Sequence, residues 1–166
     1  MTNHETVIRR ANEADLDEIL ALQAANQMER GGSLSASLPR SRVAAMMEQM
    51  PLIVACRGGR VTGFMMTTTR AMNADLPIVQ AMFAVYPGTP DTYVYGPVCV
   101  SEEERGKGLA QRMFAALRHL EPGREGVLFI RKDNEPSLRA HLKMGMKEAA
   151  SFAFNGFDYA VYSYTG

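Results

Sequence analysis

Residues 94–117 read VYGPVCVSEEERGKGLAQRMFAAL. An apolar, β-branched run gives way to a short charged stretch with glycines at 106 and 108. A helical pattern then starts at once, with Leu109, Met113, Ala116, Leu117 and Leu120 sharing one face. A strand, a glycine turn and a helix in direct succession leave few folds open, and they create a particular chemistry. The first N–H groups of a helix have no internal partner, and the helix dipole makes that end positive. An anion such as a phosphate fits there. Glycine lets the backbone approach closely, and Arg105 and Lys107 add charge that pairs with phosphate oxygens. The stretch ERGKGLA is a candidate phosphate cradle.

The spacing excludes two common nucleotide loops. A nucleoside-triphosphate loop needs G-x-x-x-x-G-K-[ST], and here Lys107 is followed by Gly108. A dinucleotide fingerprint needs G-x-G-x-x-G, and the third glycine position holds Gln111. The loop also lies late in the chain, and no acidic residue ends the next strand. Two neighbouring features narrow the choice. Gly96 and Pro97 interrupt the apolar strand; proline cannot donate to a ladder and glycine marks bulges, so this strand is expected to splay from its neighbour near residue 97. Downstream, IRKDNEPSLRAHLKMGM (130–146) gives a strand, an asparagine, a short helix and a glycine.

The rest of the chain reads as alternating elements. Residues 6–11 form a strand and 12–28 a helix capped by Asn12, with Asp15 contributing. Residues 31–41 are a connection and 42–50 a second helix stopped by Pro51. Two strands flank Gly58-Gly59 over 52–69, and a short helix lies around PIVQAMFA. Strands at 92–100 and 127–131 alternate with helices at 109–120 and 135–146, and a hairpin closes the chain at Asn155-Gly156. Alternation of this kind predicts a sheet with helices on both faces. No repeat, linker or low-complexity tract divides the 166 residues, so one domain is expected.

Composition limits the function classes. Lys+Arg and Asp+Glu are equal at 18 each, which argues against a dedicated nucleic-acid binder. The two cysteines, Cys56 and Cys99, sit in apolar runs and read as buried thiols rather than a disulfide framework. The three histidines form no cluster, so no metal site is expected. The first residues have no apolar stretch after their charges, and no run approaches the roughly 20 apolar residues of a membrane span. A cytoplasmic location without membrane partners is expected.

Together, loop, interrupted strand and downstream Asn-helix-Gly resemble the GNAT superfamily of acetyl-CoA-dependent N-acyltransferases, most sharply over residues 93–146. The family's pyrophosphate loop, Q/R-x-x-G-x-G/A, maps onto residues 103–108, with Glu103 departing from the preferred first residue. The resemblance implies a mixed α/β (α+β) fold: a mostly antiparallel central sheet flanked by helices, with a splayed fourth strand. It implies that backbone N–H groups of Arg105, Gly106, Lys107, Gly108, Leu109 and Ala110 hold the cofactor's diphosphate. It implies that the backbone of Val98, Cys99 and Val100 meets the pantetheine arm, and that Asn134 and Ser137 lie beside acetyl-CoA. His141 occupies the position where many members carry a tyrosine, the general acid for the departing thiolate. An imidazole can serve there, or it can be a satisfied packing residue.

Other readings stand beside these. Asn134 is also a helix cap, with Pro136 in the first turn. Glu102 to Glu104 read as a solvated acidic rim. No general base is identifiable: Tyr93 and Tyr95 occupy the early strand positions, with Asp91 before them. Cys99 lacks the acid and histidine a covalent route needs. The acceptor is expected to be a primary amine of a small molecule or peptide with an apolar part, met by QMERGGSLSASLP and by residues 70–91, where Glu29, Asp75 or Asp91 would attract an ammonium group. The aromatic C-terminal hairpin is a candidate homodimer edge. The rival class is a non-catalytic acyl-CoA-binding or regulatory module.

Overall fold

The computed structural model describes residues 5–26 and 38–166. Among the described residues lie seven strands in one sheet of order β1-β2-β3-β4-β5-β7-β6, and five α-helices. The chain gathers into two compact units, Met1–Thr67 with Gly96–Leu120 and Thr68–Tyr95 with Glu121–Gly166.

In the first unit β1 (Thr6–Arg10), β2 (Ile53–Arg57) and β3 (Arg60–Thr68) pair antiparallel. Gly58 and Gly59, at φ 60° and 77°, make the tight turn between β2 and β3. A short 3₁₀ turn precedes α1 (Leu16–Ala25), and its start is fixed twice over. The Asn12 side chain accepts from the Ala14 amide at 2.9 Å, and Asp15 accepts from the Asn12 amide at 2.8 Å. Asp15 also takes a two-pronged bond from Arg9 on β1, at 2.7 and 2.8 Å, which ties helix start to strand. Helix α2 (Arg40–Gln49) begins two residues before the expected start, and much of the expected connection, with Glu29, lies outside the described residues. Helix α4 (Leu109–Leu120) packs on β1 and β2, and its Met113 and Leu117 are fully buried. Leu120, which shares their periodicity, is 42% exposed at the last residue of the helix.

The second unit holds α3 (Pro77–Val85), β5 (Glu125–Arg131), α5 (Glu135–Lys143), β6 (Lys147–Phe154) and β7 (Phe157–Thr165). Pro77 starts α3, where a missing N–H costs nothing. Val79 and Met82 of this helix pack with Val94, Val127 and Val161 in a core that Phe129 and Phe152 extend. Strands β6 and β7 turn at Asn155 (φ 49°) and Gly156 (φ 82°), as the Asn-Gly pair predicts.

Strand β4 (Tyr93–Val100) is the unusual one. It runs parallel to β5, but the pairing covers only Tyr93 with Gly126 and Val94 with Val127. β5 continues to Arg131 against β7. The splay expected near residue 97 therefore begins after Val94. Gly96 takes φ 115°, a torsion open to glycine, and the Gly96–Pro97 peptide is cis.

Candidate functional site

The glycine loop sits in the first unit, between the end of β4 and α4. A 3₁₀ turn of Glu102–Glu104 leads into it, and Gly106 and Gly108 adopt φ 79° and 77°. The Arg105 amide still closes a turn onto the Glu102 carbonyl at 3.3 Å, and the helix ladder starts where the Arg112 amide donates to the Gly108 carbonyl at 3.1 Å. Among the described residues the amides of residues 106–111 find no backbone acceptor, and they lie at the positive end of α4. The donor set suits a diphosphate, and the space beside Gly106 is open, since a Cβ built there meets nothing within 4 Å. Val98 and Val100 are half-buried, whereas Cys99 is buried and burial pushes its thiol up to about 12. A thiol so hard to ionise is a poor nucleophile.

The charged side chains of the loop are arranged otherwise than a solvated rim. Glu102 and Glu103 are exposed, but Glu104 is only 4% exposed. Its carboxylate accepts from Arg57 of β2 at 2.8 Å and from Lys107 at 3.1 Å, and these two cations, Arg57 first, hold its pKa below the usual carboxylate range. Arg105 turns back: its Nε donates to the Val100 carbonyl at 3.2 Å and its guanidinium to the side chain of Asn26, a buried residue at the end of α1. Just before the turn, the Ser101 hydroxyl is buried and, among the described residues, has no hydrogen-bond partner.

In the second unit Asn134 caps α5, accepting from the Ser137 amide at 3.4 Å, as the sequence suggests. One turn on, His141 is 7% exposed. Its Nδ1 lies 2.7 Å from the Ser137 carbonyl and its Nε2 3.1 Å from the Tyr95 hydroxyl, with the two rings edge to face at 5.5 Å. Burial lowers the imidazole pKa, against a smaller upward pull from the Ser137 carbonyl, and raises that of the Tyr95 phenol. Tyr95 also packs edge to face on Tyr164, whose hydroxyl meets that of Tyr93 at 2.6 Å.

The structure thus gathers Val98, Cys99, Val100 and residues 105–110 around one loop, and Asn134, Ser137 and His141 around one helix end. Sequence reasoning missed Arg57 and the burial of Glu104, and it left Tyr95 as strand packing. Tyr93 and Tyr95 alternate onto one face of β4, which is the only local signal for the contact with His141.

A family model described as the acetyltransferase (GNAT) family matches residues 8–146. Among curated proteins no relative matches. Similar solved structures include yncA of Salmonella typhimurium, solved with its cofactor acetyl-CoA, at 19% identity over 97% of this chain and 94% of that chain, TM-score 0.71. An N-acetyltransferase of Staphylococcus aureus shares 23% identity over 97% and 98% of the two chains, TM-score 0.70. An acetyltransferase of Streptococcus agalactiae shares 16% identity over 97% and 95%, TM-score 0.74. At these identities the likeness carries the fold: a mixed α/β chain with a mostly antiparallel sheet, as expected.

Proposed function

The chain belongs to the GNAT acetyltransferase family, and from that membership we propose that it moves an acetyl group from acetyl-CoA to a primary amine of a small molecule or peptide. The amine attacks directly, in a ternary complex. The observation that carries this reading is the run of amides from Gly106 to Gln111 at the start of α4, which find no backbone acceptor among the described residues. Bound acetyl-CoA supplies the acyl group already activated as a thioester.

The chain's own residues bind, orient and move a proton. Backbone N–H groups of residues 106–110 hold the diphosphate; the Arg105 amide, expected to join them, is turned onto the Glu102 carbonyl. The backbone of Val98 to Val100 pairs with the pantetheine arm, and amides there stabilise the oxygen that becomes negative during attack. Asn134 and Ser137 flank the cofactor while keeping the cap bond between them. His141 returns a proton from Nε2 to the leaving sulfur. To do so Nε2 must first take the proton that the attacking amine sheds, in place of the hydrogen bond it accepts from the Tyr95 hydroxyl.

The test is thioester consumption across a panel of amines, with calorimetry of coenzyme A beside it. Turnover with one amine is the expected result. Tight coenzyme binding without turnover across a broad panel would favour a binding module instead. His141→Gln is expected to lower kcat about a hundredfold with little change in cofactor affinity. Full turnover in both His141→Gln and His141→Ala would remove the imidazole from the mechanism.

A further inference from the structure

The glycine loop carries three carboxylates, Glu102 to Glu104, against two cations, Arg105 and Lys107. Its own side chains are therefore a poor lure for a polyanion. One more cation reaches it from outside: Arg57, at the last position of β2, whose guanidinium lies 2.8 Å from Glu104. That carboxylate is buried and is shared with Lys107 at 3.1 Å. Arg57 and Lys107 remain 42% and 52% exposed. Glu104 thus acts as a post between two half-exposed cations, cancelling one of their two charges and fixing where both stand. Arg105 is committed elsewhere, to the Val100 carbonyl and Asn26.

We propose that Arg57 is a phosphate-recognising residue of the cofactor site, held in place by Glu104. This rests on the acetyl-CoA reading above. The shared chemistry is a phosphate group, and coenzyme A offers two sources, its diphosphate and its ribose phosphate. A guanidinium meets phosphate oxygens with a two-pronged fork, which an ammonium cannot copy. The positive charge on Arg57 also brings the loop's side chains to electrical balance, so the loop's amides act on the ligand without an opposing field.

The experiment is calorimetry of the full chain and of Arg57→Gln and Arg57→Lys with three ligands: coenzyme A, its form lacking the ribose phosphate, and S-acetylpantetheine, which has no phosphate. Thermal unfolding without ligand checks that each variant folds. Arg57→Gln is expected to weaken coenzyme A about tenfold and to lower the steepness of the salt dependence. S-acetylpantetheine should bind the variant as it binds the parent. Arg57→Lys should fall between the two. If the loss vanishes with the ligand lacking the ribose phosphate, that phosphate is the one read; if it persists, Arg57 reads the diphosphate. Unchanged coenzyme A affinity in Arg57→Gln overturns the inference, and so does an equal loss for S-acetylpantetheine. A parent chain that ignores coenzyme A would instead sink the functional reading beneath it.

Discussion

At His141 the proton positions follow from the acceptors around the ring. The Ser137 carbonyl can only accept, so the nitrogen 2.7 Å away is an N–H. Burial keeps the ring neutral, which leaves Nε2 bare and makes Tyr95 the donor. Nitrogen NMR of ¹⁵N-labelled protein at neutral pH should show a protonated Nδ1 and an unprotonated Nε2; the opposite tautomer would contradict the arrangement. Helical spacing alone put His141 on an inward face. It did not reveal Tyr95, which lies 46 residues away and whose strand pattern equally suits packing. Glu104 was hidden for a related reason. Three successive glutamates look alike in sequence, and what buries one of them is an arginine 47 residues earlier. Long-range pairs of this kind leave no local periodicity to read.

Elements were more legible where their signals are local. The two tight turns, Gly58-Gly59 and Asn155-Gly156, follow from residues that accept positive φ. The starts of α3 and α5 follow from Pro77 and from Asn134 with Pro136. Ends were less clear. β5 begins at Glu125, two residues before its apolar run, because Glu125 and Gly126 pair with Thr165 and Tyr164 of β7. That pairing makes Gly126 a sensitive position: an added Cβ would stand 2.4 Å from the Tyr164 hydroxyl, which bonds to Tyr93. Gly126→Ala should displace the phenol and cost about 1–3 kcal/mol in chemical denaturation. A loss of a few tenths would mean that Tyr164 swings aside freely. In α4, Met113 is fully buried, and Met113→Ala should cost about 2–5 kcal/mol by the same measurement.

Over the whole molecule, equal numbers of acidic and basic residues keep net charge near zero at neutral pH. Stability against pH then reflects individual groups more than overall repulsion. His141 is held below its ordinary value of 6.5 in the folded chain, so the unfolded chain binds the proton more readily. Its contribution is complete above about pH 6.5 and is lost as pH falls toward the folded value. Asp15, bonded to Arg9, and Glu104, bonded to Arg57 and Lys107, are also depressed. Their contributions disappear at lower pH, as acid falls through the ordinary carboxylate range and below it. Denaturation curves from pH 8 to 3 should therefore show a plateau, a shallow decline below about 6.5 and a steeper one below about 4. His141→Gln should erase the first decline and keep the second; a decline that survives in that variant would assign it to another group.

Domains of this size survive on a margin of about 5–15 kcal/mol. Ser101 keeps a buried oxygen that nothing in the described chain answers. Ser101→Ala should raise the unfolding free energy by about 1 kcal/mol and Tm by about 2–4 °C; a lower Tm would show that the oxygen is answered after all. Natural selection has left headroom at this one atom, and an engineer seeking a heat-tolerant version would begin there.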